Sequence, residues 1–359
     1  MTVHASIRAS FRDARRSARA RHRDIARNLQ LSEGELVAAH VGSFAADESP
    51  LRSRRLRAEW PQIVAALEAL GEVMALTRNE SCVHEKTGVY REVGGGSHVG
   101  LVLAGAIDLR LFYANWAHGF AVEEALADGA TQRSLQFFDA QGVAVHKVFL
   151  RPNSDVDAYA VLVDRFASPD LTPGIVVTVA TPPEAERDDA SIDIDGLRTA
   201  WASMRDTHEF FALLRKFNVT RTQGLRLASP AFVEQVDNAS VHEILTRAAQ
   251  EGVPIMVFVG NPGIIQIHSG PVRRVEVMGP WLNVLDAGFN LHLREDHIAQ
   301  AWLVKKPTSD GLVHSLELFD AAGGTIAMFF GERKPGQAER CDWRELLDGV
   351  SPEDATCGA

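Results

Sequence analysis

The chain has 359 residues, of which 46% are hydrophobic and 23% are charged, a length and balance typical of a soluble globular protein of two ordinary domains. The formal net charge of −10 argues against general nucleic-acid binding and against an anionic membrane face, because both partners require a basic surface. No stretch approaches the roughly 18 consecutive apolar residues that a membrane helix requires.

The N-terminal segment, residues 1–31, is rich in arginine but lacks the apolar core of a secretory signal. Its apolar residues fit a helix with a solvated basic face, and an RNA-binding arm is the alternative. The three cysteines, Cys82, Cys341 and Cys357, form no C-x-x-C pair, which excludes zinc ribbons and thioredoxin-like redox centres. Free thiols in a reducing compartment are the simplest interpretation, and we therefore expect a cytoplasmic protein.

The second half of the chain repeats the first at a nearly constant offset. The segment SLQFFDAQGVAVHKVF begins at Ser134, and SLELFDAAGGTIAMFF begins at Ser315, an offset of 181. Two further blocks, which begin at Met74 and Asp108, recur at an offset of 182. Three blocks in the same order predict a tandem duplication of one domain.

Each copy is predicted to belong to the α+β class. It opens with a helix whose apolar residues lie three and four apart, and it continues as short β-rich runs joined by turns such as 139–142 and 320–324. Strands that follow strands predict a large antiparallel sheet with flanking helices. The proline- and acid-rich segment 181–191 is the predicted linker, and we place the two domains at residues 1–183 and 184–359.

In the segment IDLRLFY, alternation places Asp108, Arg110 and Phe112 on one face of a strand and the apolar residues on the other. An arginine beside an aromatic ring suits a planar anionic partner, and a cross-strand charge pair explains the same spacing equally well. In the second copy, His292 stands at the position of Arg110. The copies therefore differ in their polar residues, and we expect a single site.

The segment DTHEFFALLRKF, residues 206–217, is predicted to form a helix that starts at a capping box of Asp206 and Glu209. Its apolar residues form one stripe, and His208 lies on the opposite side. The positive end of the helix dipole favours neutral imidazole, the form that binds a metal. No second ligand lies at suitable spacing on this helix, so two interpretations remain open: a histidine without a ligand, and a histidine that binds iron held by a porphyrin.

Several segments together resemble one known family. They include TRNESCVHEKTGVY, HVGLVL, DLRLF, WAHGF, DTHEFFALLRKFNVTR, IMVFVGNPG and KKPTSDG. In this order, and with the duplication, they resemble the cytoplasmic haemin-degrading and haem-trafficking proteins of Gram-negative bacteria (HemS, ChuS, PhuS and HmuS type) over nearly the whole chain. The resemblance implies two similar halves and one haem, iron protoporphyrin IX, in a cleft between sheet and helices.

The resemblance also implies roles for individual residues. The family's iron-binding histidine lies in a D-x-H-x-F-F motif, which is His208 here, and its distal arginine lies in a D-L-R motif, which is Arg110. This sequence departs from the pattern at Phe330, where relatives place a tyrosine, so the phenolic hydroxyl is absent. His84 is also a shared motif residue, for which the resemblance suggests a second haem site; a histidine near strand ends that is simply hydrogen-bonded into the structure is the alternative, and we favour it. The cations near the haem carboxylates correspond to Arg221, Lys306 and Arg333.

Three functions are consistent with these residues. The first, which we favour, is haem trafficking and storage, in which an inner-membrane transporter supplies the haem and a haem oxygenase receives it. The second is an enzyme that itself opens the porphyrin oxidatively and releases iron, with electrons from an external reductant. The third is an interaction module that has lost haem, and the retention of His208 and Arg110 argues against it. The GGGS at 94–97 precedes no helix, so no flavin or nicotinamide site is predicted.

Overall fold

The computed structural model describes residues 2–17, 20–42, 49–180, 185–333 and 336–350. Cys357 and the predicted domain boundary at 183 and 184 lie outside these residues. The helices of the described ranges include none long and apolar enough to span a membrane. The chain divides into two compact units, the first formed by Met1–Arg78, Glu85–Thr181 and Gly260–Gln266, the second by Asn79–His84, Pro182–Val259 and Ile267–Ala359.

The first unit begins with helices, continues as antiparallel strands and closes with a helix. Its helices are α1 (Val3–Ser17), α2 (His22–Asn28), α3 (Glu33–Ala38), α4 (Trp60–Ala66) and α5 (Val156–Phe166). The strands of this half are β1 (Leu51–Arg55), β2 (Val73–Arg78), β3 (Cys82–Gly88), β4 (Arg91–Gly95), β5 (Val99–Ala104), β6 (Asp108–Phe112), β7 (His118–Ala125), β8 (Thr131–Phe138) and β9 (Ala144–Leu150). Five strands pair in the order β1-β7-β8-β9-β2, and β4, β5 and β6 form an antiparallel meander.

The second unit repeats this arrangement. Its helices are α6 (Ile194–Ala202), α7 (Glu209–Phe217), α8 (Arg221–Leu227), α9 (Ser240–Glu251) and α10 (Cys341–Asp348). The strands of this half are β10 (Val233–Val236), β11 (Ile255–Asn261), β12 (Ile264–Gly270), β13 (Val275–Met278), β14 (Trp281–Asp286), β15 (Phe289–Arg294), β16 (Gln300–Thr308), β17 (Gly311–Phe319) and β18 (Thr325–Gly331). Five strands pair in the order β10-β16-β17-β18-β11, and β13, β14 and β15 form the meander.

The two units share details that the sequence repeat predicts. The pairing of β8 with β9 shifts register between Phe137 and Phe138, and that of β17 with β18 shifts between Leu318 and Phe319. The turn that follows each shift is held by an aspartate, Asp320 in the second unit, whose side chain accepts backbone N–H bonds. The α+β class and the duplication are confirmed. The Arg-rich N-terminal segment contains the predicted helix as α1, and the RNA-binding alternative stays untested.

Each unit buries apolar side chains on both faces of its five-stranded sheet. In the first unit, α4 and α5 cover the face that carries Ala121, while α1 to α3 cover the face that carries Phe120. In the second unit, α9 and α10 cover the face that carries Leu303, while α6 to α8 cover the face that carries Trp302. Alternate residues of a strand point to opposite faces of the sheet. The polar side chains that share a face with Trp302 therefore lie under α6 to α8, where the candidate site is found.

Candidate functional site

Helix α7 presents His208 to solvent at its start. Phe210, Leu213 and Leu214 are buried in the core of the second unit, as their spacing predicts. The His208 side chain is 91% exposed and lies away from that core, also as predicted. The predicted capping box is wrong, because the Asp206 carboxylate accepts the backbone N–H of His208 at 2.8 Å and the helix begins only at Glu209.

The His208 imidazole is held by the same carboxylate. Its Nδ1 lies 2.6 Å from Asp206 Oδ1 and donates to this carboxylate, so that in a neutral imidazole the lone pair belongs to Nε2. The backbone N–H of His208, followed by its imidazole, lowers the pKa of Asp206, which stays an acceptor. A carboxylate that fixes one ring nitrogen while the other binds metal is a common arrangement in metalloproteins.

The residues around His208 do not form a site for a bare metal ion. Across the ranges that the structure describes, no group of three or more histidine, cysteine, aspartate or glutamate side chains is arranged to hold one. A metal ion bound through His208 alone would therefore take its other ligands from a macrocycle, as haem iron does. The protein environment fits haem in this respect, since haem iron requires one axial side chain rather than a cluster.

Two of the predicted cations meet on a buried carboxylate. Arg221, the first residue of α8, donates through Nε to Glu317 Oε2 at 2.7 Å, and Lys306 on β16 donates through Nζ to Glu317 Oε1 at 2.5 Å. The Glu317 side chain on β17 is fully buried, whereas the Arg221 side chain is 24% exposed. Two cations and one carboxylate leave a net charge of +1, with the arginine facing the open side.

Burial and pairing act in opposite directions on these groups. Burial raises the pKa of Glu317, but Arg221 and Lys306 outweigh it and hold that pKa well below its ordinary value. Burial lowers the pKa of Lys306 to about 8, an effect that Arg221 reinforces and Glu317 opposes. Sequence reasoning missed Glu317. The available signal was its place in SLELF, where its counterpart in the first copy is the uncharged Gln136.

Aromatic rings complete this cluster. The Phe210 ring lies 5.0 Å from the guanidinium carbon of Arg221 and 4.7 Å from Lys306 Nζ. The Phe330 ring lies 5.8 Å from Lys306 Nζ and packs edge-on against Phe258. Aromatic rings next to two cations, one of them a partly exposed arginine, suit a flat apolar ligand that carries carboxylates. The structure thus brings together the predicted residues Arg221, Lys306 and Phe330.

Arg333 is the third predicted cation of the second unit. It is half-buried, and its positive charge contributes to the lowered pKa of Asp206, which places its field on the His208 side of the unit. Its Nη1 atom is buried, and no acceptor for that atom is found among the described residues. A buried guanidinium nitrogen with capacity for one more bond fits an anionic ligand.

The candidates Arg110 and Phe112 belong to the first unit. Leu109 and Leu111 are buried while Asp108, Arg110 and Phe112 are half-buried, so the predicted alternation on β6 is confirmed. Arg110 Nη1 pairs with Asp108 on the same strand, which differs from the cross-strand pair considered above. Burial raises the pKa of Asp108 despite this arginine. The distal role of Arg110 and the ligand contact of Phe112 stay predictions.

His84 lies inside the second unit. Its side chain is fully buried, with its ring centroid 4.9 Å from that of Phe289, and His268 stacks on the same Phe289 ring at 3.8 Å. In this structure the His84 ring presents no edge to solvent. Its role as a second haem site stays a prediction, and it requires local opening of this packing.

Comparison with known proteins supplies independent information. A model of the family described as the haemin-degrading HemS.ChuX domain matches the chain twice, over residues 30–166 and 218–350. The chain is 40% identical over 336 residues to the hemin transport protein HmuS of Yersinia pestis, covering 92% of this chain and 93% of that protein. The fold is similar to holo-PhuS, a heme-binding protein from Pseudomonas aeruginosa, with a TM-score of 0.92, 47% identity and coverage of 98% and 99%. It is also similar to ChuS, an E. coli heme oxygenase, with a TM-score of 0.83, 37% identity and coverage of 97% and 100%.

Proposed function

The chain belongs to the family of proteins built from the haemin-degrading HemS.ChuX domain, and from this premise we propose that it is a haem-binding protein of a haem-uptake system. In this proposal it accepts imported haem in the cytoplasm, stores it and hands it to a haem oxygenase. An inner-membrane haem transporter is the proposed supplier. The similarity to a hemin transport protein and to a heme-binding protein supports haem as the cargo.

The residues of the second unit divide the work of holding haem. His208 Nε2 would ligate the haem iron, and Asp206 would fix the orientation of this ring. Arg221, Lys306 and Arg333 supply positive charge for the two haem carboxylates, while Phe210 and Phe330 offer apolar surface. Haem, when bound, supplies the iron centre that the imidazole recognises. Arg110 is the proposed distal group.

The observation that carries the proposal is the state of His208. Its side chain is 91% exposed, yet its Nδ1 is anchored to a carboxylate at 2.6 Å. A surface histidine without a ligand gains little from such an anchor, because a contact between two exposed side chains stabilises a fold only weakly. For a metal ligand, the same anchor fixes both the tautomer and the ring orientation.

Titration of the protein with ferric haem tests this assignment. The wild-type chain is expected to give a Soret band typical of imidazole ligation, and His208→Ala is expected to shift that band and weaken binding at least about tenfold. His242→Ala is the matched control, since His242 is also an exposed histidine in the second unit that faces an acid, Glu295. An identical Soret band in wild type and His208→Ala would contradict the ligand assignment.

Oxidative haem degradation is the second candidate function, and the similarity to a heme oxygenase favours it. The chain would then hold the porphyrin through His208, with electrons from an external reductant. To separate the two functions, the haem complex is given ascorbate or a reductase system in the presence of catalase. Loss of the Soret band with release of carbon monoxide or a biliverdin-like product supports degradation. A stable complex that transfers haem to a haem oxygenase supports trafficking.

A further inference from the structure

Glu317 lies inside a cluster that is proposed to receive anions, although its own charge is negative. The carboxylate is fully buried and bonds to both cations, and Ser315 Oγ donates to Oε1 at 3.1 Å. A buried charge is costly to keep, and an apolar residue of similar volume often serves stability equally well at such a position. The inference drawn from this residue rests on the proposed function of haem binding.

The first unit shows that this sheet position does not require a carboxylate. Gln136 pairs with Lys147 across β8 and β9, and Glu317 pairs with Met328 in the same register across β17 and β18. Gln136 is as deeply buried as Glu317, and its amide donates to Ser134. The duplicated frame therefore accepts an uncharged amide at this position, and the charge of Glu317 is specific to the second unit.

The groups around Lys306 define what Glu317 does there. Four side chains surround Lys306: Glu317 on β17, Arg221 on α8, Phe210 on α7 and Phe330 on β18. The two charged members act oppositely, since Arg221 repels the ammonium and Glu317 attracts it. Both oxygens of Glu317 are used, one for each cation, so that a single rigid group fixes the separation of the two cations.

We propose that Glu317 is a positioning residue that holds Arg221 and Lys306 as a fixed pair for the haem carboxylates and keeps the Lys306 ammonium charged at neutral pH. In mildly alkaline solution this ammonium loses its proton, and haem affinity falls. The sign follows from proton linkage. Carboxylates bind the ammonium better than the amine, so affinity is constant below the pKa of Lys306 in the free protein and falls above it. That pKa is about 8. Without Glu317, burial and Arg221 both lower it further, and the fall starts at lower pH.

The test uses fluorescence titration with metal-free protoporphyrin IX, which has both carboxylates but no iron for His208. Affinity is measured from about pH 6 to about pH 9.5 in wild type, Glu317→Gln and Glu33→Gln. The dimethyl ester of the same porphyrin, which has no free carboxylate, gives the reference profile. Glu33→Gln is the matched control, because Glu33 is a buried glutamate that accepts bonds from Arg78 and Lys147 in the first unit.

In wild type and Glu33→Gln, affinity is expected to fall above an onset near pH 8, by up to about tenfold per pH unit, the limit for one linked proton. In Glu317→Gln the onset moves about one pH unit or more lower, and the ester profile stays flat in all three proteins. Equal onsets in wild type and Glu317→Gln, with porphyrin bound by both, overturn the inference and leave the proposed function intact. Absence of any binding of haem or porphyrin to wild type overturns both.

A purely structural role of Glu317 would lower stability without moving the onset, so thermal unfolding is followed for each variant. If Glu317→Gln is not recovered folded, Lys306→Gln decides the question. This variant keeps the glutamate but removes the titrating amine, and its affinity is expected to be independent of pH over the same range. A fall in affinity near pH 8 that persists in Lys306→Gln overturns the inference, because the linked proton then belongs to another group.

Discussion

The two copies each bury a glutamate between an arginine and a lysine, but they build this triad from different elements. In the first unit, Glu33 comes from α3 and bonds to Arg78 on β2 at 2.7 Å and to Lys147 on β9. In the second unit the glutamate lies on β17, and Arg221 of α8 takes the helix position. All three members of the first triad are at most one-tenth exposed, whereas Arg221 is 24% exposed.

The two triads differ in which residue stands at the start of the helix, and this difference affects both stability and exposure. Glu33 and Arg221 are each the first residue of a short helix that a Ser32 or Thr220 side chain caps. A carboxylate is favoured at that end of a helix and a guanidinium is disfavoured, by about 0.3–1 kcal/mol each. The first unit has the favoured arrangement, and all three members of its triad are buried, which we call a closed triad. The second unit has the disfavoured arrangement, and the guanidinium of Arg221 is partly exposed, which we call an open triad. A cation that reaches the surface at the expense of stability is the pattern expected of a binding site.

The largest expected effect concerns the free energy of unfolding. Glu33→Leu leaves Arg78 and Lys147 buried without a carboxylate, and the free energy of unfolding is expected to fall by about 3–5 kcal/mol. Glu317→Leu is expected to cost less, because the Arg221 side chain is 24% exposed and reaches water, whereas the Arg78 side chain is only 10% exposed. Urea unfolding followed by circular dichroism measures both losses. An equal or larger loss in Glu317→Leu would contradict the distinction between a closed and an open triad.

The frame of the fold was predictable because it depends on periodicity. The stripe of α7 that contains Phe210 and the alternation in IDLRLFY both place side chains as observed. The start of α7 was not predictable from spacing, since Asp206 fits a cap but bonds to His208 instead. Which of these two local bonds forms depends on the turn before the helix, and residue type alone does not determine that turn.

Glu317 shows why the site was only partly predictable. Alternation in SLELF assigns Glu317 to the face opposite Leu316 and Leu318, and a charged residue on such a face is typically solvated. The structure buries both faces, because α6 to α8 cover the second one. Periodicity therefore identifies the face, whereas the helices that cover it depend on contacts distant in sequence. The family resemblance identified Arg221 and Lys306 but not the carboxylate between them.

A second test concerns the histidines at the helix starts of the two units. His22 begins α2, and its Nε2 bonds to Glu124 at 2.9 Å, so the nitrogen that His208 leaves open is occupied there. Asp206→Asn is expected to weaken haem binding about 10–100-fold, the usual effect of removing the partner of a metal-binding histidine. Glu124→Gln, which changes the carboxylate that contacts His22, is expected to leave haem affinity unchanged. Ferric haem titration measures both, and equal affinities in the two variants would contradict the asymmetry.

The smallest expected effect concerns the phenylalanine that pairs with a serine in each copy. Phe330 pairs with Ser315 in the second unit as Phe149 pairs with Ser134 in the first, but the Phe330 ring also lies 5.8 Å from Lys306 Nζ. Phe330→Tyr adds one hydroxyl beside the proposed haem carboxylates, and one net hydrogen bond contributes about 0.5–1.5 kcal/mol. Haem affinity is therefore expected to rise about two- to tenfold. Phe149→Tyr places the same hydroxyl in the first unit. An equal gain in haem affinity in that variant would assign the effect to the sheet rather than to the site.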